Sequence, residues 1–102
     1  MITEFKLFEE IHNDVKVDNY IITKYRNSTV HKDLWNFLST HIGLVTYTGL
    51  VMGDCAVYYT DIPLNIDAHF HAGSIALDNI DIKYYGTKTE MEIKMKANNF
   101  NL

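Results

Sequence analysis

The 102-residue sequence predicts a single domain, 1–102, that is mainly β within the α+β class. We expect a small, strongly bent antiparallel sheet or barrel with one short internal helix and a C-terminal helix. Segments rich in β-branched and aromatic residues recur along the chain, separated by short stretches of turn-forming residues. No long helical segment separates these strands, so neighbouring strands must pair through short connections, which favour antiparallel pairing. With 47% hydrophobic residues, the chain has enough apolar surface for a modest core.

The first half of the chain predicts strands followed by a helix. Residues 4–11, EFKLFEEI, are expected to form a first strand or a packed lead-in. Residues 15–25, VKVDNYIITKY, predict a strand, and RNST at 26–29 predicts a turn. Apolar residues in 31–42 recur at spacings of three and four, which predicts a short amphipathic helix ended by Gly43.

The second half predicts a hairpin and a further strand. Residues 44–51 and 55–60 read as two strands joined by a Met-Gly-Asp turn, with Pro63 ending the second. Residues 74–85, SIALDNIDIKYY, alternate in polarity and predict one more strand, closed by Gly86.

The C-terminal segment, 87–100, carries two conflicting signals. Met91, Ile93 and Met95 alternate as in a strand. Thr87 and Glu90, however, have the spacing of a helix capping box, and Glu90 with Lys94 makes a favourable i,i+4 pair. The second set of signals favours a C-terminal helix.

Composition restricts the classes of partner. The chain carries 13 acidic and nine basic residues, a net charge of −4, so direct nucleic-acid binding is not expected. No apolar run approaches the roughly 20 residues of a membrane helix. The first residues lack the layout of a signal peptide, and the single cysteine suits a reducing compartment. We therefore expect a cytoplasmic protein without a membrane partner.

Three short motifs give a resemblance that spans most of the chain. KVDNYI, with Lys16, Tyr20 and Ile21, matches the pattern K-x-G-D-Y-V, although Asp18-Asn19 replaces its Gly-Asp turn. Residues 36–45, NFLSTHIGLV, match N-F-x-x-x-x-I-G-x-V, and residues 55–63, CAVYYTDIP, match Y-x-V-x-Y-x-x-I-P with cysteine for the first tyrosine. The sequence thus resembles small uncharacterised bacteriophage proteins with a Src-homology-3-like (SH3-like) barrel. The resemblance implies that barrel and a viral protein acting in the host cell cytoplasm, but it brings no catalytic residue.

The segment IDAHFHAG, at 66–73, has the Asp and His-x-His pattern that opens the metal site of amidohydrolases. That site needs an eight-stranded barrel of roughly 200 residues or more, which this chain is too short to form. On an extended segment, Asp67, His69 and His71 would project to one side and could hold zinc. A surface loop with Phe70 anchored in the core between two solvated imidazoles explains the same pattern. We favour the loop, and no metal or other cofactor is expected.

Other catalytic patterns are weak. Cys55 follows Asp54, whose negative charge opposes formation of a nucleophilic thiolate. The five glycines stand apart from one another, so no phosphate-binding glycine loop is present. We therefore expect that the protein is not an enzyme.

The remaining signals favour a binding protein. In AVYYT, Val57 and Tyr59 are expected to pack inward, which leaves Tyr58 outside. By analogy with phage accessory proteins, our first hypothesis is a counter-defence protein that sequesters a nucleotide-type immune signal as a homo-oligomer. Its ligand-binding residues would be stacking side chains and phosphate donors. These candidates are Arg26, Tyr58, His69, Phe70 and His71.

Two alternatives remain open. Acidic side chains could occupy the basic groove of a host nuclease or anti-phage effector, because complementary charge speeds association. The aspartates expected in loops or at strand ends are Asp14, Asp18, Asp54, Asp61, Asp67, Asp78 and Asp81. The third hypothesis is a structural or adaptor barrel, since small barrels serve many tasks.

Overall fold

A computed structural model describes residues 15–49 and 55–100, with side chains described up to residue 97. The expected strand or lead-in at 4–11 and the expected hairpin turn at 52–54 lie outside these residues. The elements are β1 (Tyr20–Thr23), α1 (Lys32–Thr40), β2 (Gly43–Tyr47), β3 (Cys55–Tyr58), a 3-10 helix (Leu64–His69), β4 (Ser74–Leu77), a second 3-10 helix (Asn79–Asp81), β5 (Ile82–Gly86) and α2 (Lys88–Phe100). None of the helices in these ranges is both long and apolar enough to cross a bilayer.

The five strands form one open sheet in the order β4-β3-β2-β1-β5, and every neighbouring pair is antiparallel. This arrangement confirms the predicted α+β class and the antiparallel sheet. The pairing register shifts after Ile22 in β1 and after Val45 in β2. Irregularities of this kind increase the local twist and bend a sheet.

The two α-helices, α1 and α2, lie on opposite faces of the sheet. Ile21 of β1 belongs to the main buried cluster together with Leu34, Phe37 and Leu38 of α1. Its neighbour Ile22 must point to the other face of the strand. Ile22 is nonetheless buried, outside that cluster, and α2 contacts both β1 and β5. Helix α2 therefore covers the second face over these two strands.

Helix α2 confirms the prediction from its capping box. The backbone N–H of Thr87 donates to Glu90 Oε1 at 2.8 Å, and the Glu90 N–H donates to Thr87 Oγ1 at 3.1 Å. These reciprocal hydrogen bonds satisfy donors that the first turn of a helix leaves unpaired.

Several sequence-based boundaries were wrong, and the strands expected at 44–51 and 55–60, for example, end at Tyr47 and Tyr58. The strand expected at 74–85 is two strands, because the Asp78 side chain accepts a hydrogen bond from the Ile80 N–H at 3.3 Å and starts a 3-10 helix instead. The strand expected at 15–25 is short, since Asn19 Oδ1 accepts from the Lys16 N–H at 2.8 Å and closes a turn ahead of β1.

Gly43 was predicted to end α1, but the structure shows that it begins β2. A Cβ atom at this position would lie 2.6 Å from Cζ of Tyr59, closer than real contacts allow. The glycine therefore lets the Tyr59 ring pack directly against the β2 backbone.

Candidate functional site

A cleft at the start of α1 brings together polar side chains from four segments of the chain. His31, the residue before α1, and Leu34 line two adjoining recesses, of about 310 Å³ and about 470 Å³. His69 lines the smaller recess, and Arg26 and Trp35 line the larger. We call the two recesses together the His31 cleft.

Arg26 is held in the larger recess by a carboxylate and an aromatic ring. Its Nε lies 2.9 Å from Oδ1 of Asp81, whose side chain is only 11% exposed, whereas the Arg26 side chain is 53% exposed. The guanidinium carbon also lies 5.3 Å from the centre of the Trp35 ring, within the range of a cation–π contact. Arg26 is thus fixed in position yet remains accessible from the cleft.

The two histidines meet at the smaller recess. The centres of the His31 and His69 rings are 5.2 Å apart, and the rings pack edge to face. His31 comes from the residue that precedes α1 and His69 from the end of the 3-10 helix Leu64–His69. A hydrogen bond of 3.1 Å from Asn65 Nδ2 to Asp33 Oδ2 joins the same two elements and fixes their spacing.

The cleft offers groups of both charges to a ligand. Arg26 and Lys32 supply cations, the two imidazoles supply donors or acceptors, and Asp33 and Asp78 supply acceptors. Such a set suits a ligand that combines an anionic group with hydrogen-bonding edges. Both recesses are in the size range of small-molecule sites.

The predicted site residues divide between the cleft and other places. Arg26 and His69 lie on the cleft. Phe70 is partly buried against the core, with its ring centre 6.1 Å from that of Phe37 and 6.0 Å from that of Tyr59. His71 is exposed and forms a bridge with Ser74, and Tyr58 points out of the sheet with 41% exposure. The structure therefore does not assemble all five around one pocket.

The zinc alternative required Asp67, His69 and His71 on one side of an extended segment. Asp67 and His69 instead lie within a 3-10 helix, where three residues complete a turn, so their side chains diverge. His71 lies beyond it, with its N–H donating to the Ser74 carbonyl oxygen at 2.7 Å. No three His, Cys, Asp or Glu side chains are placed to hold a metal within 15–49 and 55–97.

Sequence reasoning missed His31 and Trp35 as cleft residues. Trp35 packs against the core, and its ring also contacts the Arg26 guanidinium. The available signal was local: RNSTVHKDLW places a cation, a histidine and a tryptophan within ten residues at a helix start. No protein-family model, curated protein or solved structure matches this chain.

Proposed function

We propose that this protein is a non-enzymatic binding protein whose ligand is a nucleotide-type small molecule held in the His31 cleft. The observation that carries the proposal is the alignment of Arg26, His31 and His69 along one cleft beside the Trp35 ring. Aromatic and cationic side chains with a few polar groups are the usual means of binding such ligands.

Each recess would accept a different part of the ligand. A phosphate group fits the smaller recess, where Lys32 and the two imidazoles can donate hydrogen bonds. A base fits the larger recess, where the Arg26 fork and the Asp78 carboxylate offer donors and acceptors to a planar edge.

The biological setting of the proposal rests on the resemblance to phage proteins with an SH3-like barrel. In that setting the protein acts in the host cytoplasm as a counter-defence factor, and a homo-oligomer sequesters a nucleotide immune signal. The two register shifts support the bending of the sheet that such a barrel requires.

The competing proposal, an acidic inhibitor, uses a smaller set of aspartates than the sequence indicated. Asp81 is buried and paired with Arg26, so it contributes little to an acidic surface. Asp18, Asp61, Asp67 and Asp78 are exposed, whereas Asp14 and Asp54 lie outside the described ranges. Within the described ranges, four aspartates of that set are therefore available to an acidic surface.

Isothermal titration calorimetry with adenosine monophosphate and a cyclic dinucleotide tests the proposal. We expect His69→Ala to weaken binding about tenfold, because one charge-assisted hydrogen bond is worth roughly 1.5 kcal/mol. Arg26→Lys keeps a positive charge next to Asp81 but removes the planar fork, and we expect a loss of similar size.

His71→Ala is the matched control, since it removes an exposed histidine two residues from His69 but outside the cleft. We expect its affinity to stay within about twofold of the unmodified protein, an effect below roughly 0.5 kcal/mol. Equal losses for His69→Ala and His71→Ala, or no heat from either nucleotide at millimolar concentration, would refute the His31 cleft as a nucleotide site.

A further inference from the structure

A second concave surface lies on the face of the sheet opposite α1. It is a groove of about 360 Å³ between β5 and α2, lined by Lys83, Tyr84, Tyr85, Met91, Ile93 and Lys94 together with Glu90. Tyr84 pairs with Ile22 of β1, so its side chain is on the sheet face that α2 covers. We call this surface the Lys83–Lys94 groove; it shares no lining residue with the His31 cleft.

Two lysines contact one aromatic ring in this groove. The Nζ of Lys94 lies 4.7 Å from the centre of the Tyr84 ring, and the Nζ of Lys83 lies 5.3 Å from it. Each contact is favourable, and together they place two positive charges around one ring. An anionic group that reaches both ammonium groups would pair with two cations.

No carboxylate within the described ranges forms an ion pair with either lysine. The one ion pair found there joins Arg26 to Asp81, on the other side of the sheet. Glu90 also lines the groove and accepts the capping hydrogen bond from the Thr87 N–H through its Oε1. Two lysines and this one carboxylate leave the groove a net positive charge, which suits a ligand with a single anionic group.

The rest of the groove is apolar. Ile93 is 62% exposed although it is a large aliphatic residue, and it lies beside the buried Met91. A ligand that fits both parts has one anionic group and an aliphatic body. Burial of its aliphatic chain against Ile93 would add favourable hydrophobic free energy, because apolar surface is removed from water.

We propose that the Lys83–Lys94 groove binds a free amphiphilic monoanion of the fatty-acid class. The carboxylate pairs with the two ammonium groups, and the aliphatic chain lies along the exposed Ile93, next to the buried Met91. Lysine suits this role because its ammonium is a compact charge that pairs with a single anionic group and does not require a planar, bidentate partner. The proposal does not depend on the nucleotide proposed for the His31 cleft.

Titration with decanoate, below its micelle concentration, tests the proposal by calorimetry and by the methyl NMR signals of Ile93 and Met91. We expect binding at one site per chain and shifts of both methyl signals. Decyltrimethylammonium, which has the same chain length and the opposite charge, is expected to bind at least about tenfold more weakly, a difference of roughly 1.4 kcal/mol.

The charge requirement is tested with the double variant Lys83→Gln/Lys94→Gln, for which we expect at least about a tenfold loss of decanoate affinity. Lys96→Gln is the matched control on the same helix, because residue 96 does not line the groove. Its affinity should be unchanged.

Equal affinity for the two probes would overturn the proposal, as would a double variant that binds decanoate as the unmodified protein does. Decanoate shifts confined to residues outside the groove would also overturn it. The comparison of probes on the unmodified protein keeps the test decisive even if the double variant fails to fold.

Discussion

Tyr59 combines deep burial with a polar group that has no partner. The residue is 2% exposed, and its ring packs between Phe37 and Phe70. Its hydroxyl oxygen is one of two buried side-chain oxygens without a hydrogen-bond partner in the described part of the chain; the other is Thr23 Oγ1. Burial raises the pKa of Tyr59, and the nearby Cys55 raises it further.

Alternation in AVYYT predicted which tyrosine would be buried, and the structure confirms it. Tyr58 is 41% exposed, whereas Tyr59 is in the core. The sequence could not show that the Tyr59 hydroxyl lacks a partner. Hydrogen-bond satisfaction depends on residues that the fold brings together from distant parts of the chain.

We expect Tyr59→Phe to raise the free energy of unfolding at pH 7 by about 1 kcal/mol, because an unpaired buried hydroxyl costs about 1–3 kcal/mol. The pKa of Tyr59 is higher in the folded state than the ordinary value of 10.0. The unfolded chain therefore releases the Tyr59 proton first, and the unmodified protein loses stability as the pH rises above 10, by up to about 1.4 kcal/mol per pH unit. Urea unfolding at pH 7 and from pH 9 to 11 measures both effects.

Tyr58→Phe is the control for this comparison, because it removes the hydroxyl of the adjacent, exposed tyrosine. Its unfolding free energy should follow that of the unmodified protein at every pH. A Tyr59→Phe protein that is less stable at pH 7 would show that the hydroxyl has a favourable role. One that loses stability above pH 10 as steeply as the unmodified protein would show that ionisation of Tyr59 does not cause that loss.

At the scale of elements, local signals predicted the two α-helices better than the boundaries of the strands. The spacing of apolar residues predicted α1, and the Thr87–Glu90 pair predicted α2. The break at Asp78 was missed because Ile80 and Ile82 continue the alternation of a strand. A single side-chain-to-backbone hydrogen bond at Asp78 overrides that pattern.

The His31 cleft was only partly predictable for a related reason. Arg26 and His69 were identified from residue type alone. Their relation to His31 depends on how the first 3-10 helix packs beside α1, which no local pattern specifies.

We expect Thr87→Ala to lower the free energy of unfolding by about 1 kcal/mol, because it removes the side chain that caps α2. Thr89→Ala is a matched change two residues further on, in the first turn of the same helix. It should cost nothing measurable or stabilise slightly, since alanine has the higher helix propensity. Thermal unfolding of the two variants side by side makes the comparison, and equal losses would show that the capping hydrogen bond contributes no stability.

At the scale of the whole molecule, β1 connects two buried regions. Ile21 is fully buried on the face that packs against α1, and Ile22 is 1% exposed on the face covered by α2. The sequence shows that both residues are apolar, which fits a strand covered on both faces. It does not show that β5 and α2 return to β1 after more than fifty residues, because that pairing is a long-range contact.

This arrangement predicts that the two faces unfold together. Leu38 of α1 and Met91 of α2 are both almost fully buried, on opposite faces of the sheet. We expect Leu38→Ala and Met91→Ala each to lower the free energy of unfolding by about 2–5 kcal/mol, because each leaves a cavity in a packed region. Each variant should nonetheless unfold in one transition, as small single domains do.

Two probes test whether the transition is shared. Fluorescence of Trp35, the single tryptophan of the chain, reports on the α1 face, and far-ultraviolet circular dichroism reports on all helices and strands. In Met91→Ala the two denaturation midpoints should fall together. If α2 detaches, Ile22 is exposed, and β1, which also packs against α1, is weakened. Ile93→Ala, which shortens a side chain that is 62% exposed, should leave both midpoints nearly unchanged. If the circular dichroism of Met91→Ala showed an early transition while the Trp35 midpoint stayed in place, α2 would be an independent unit and β1 would not couple the two faces.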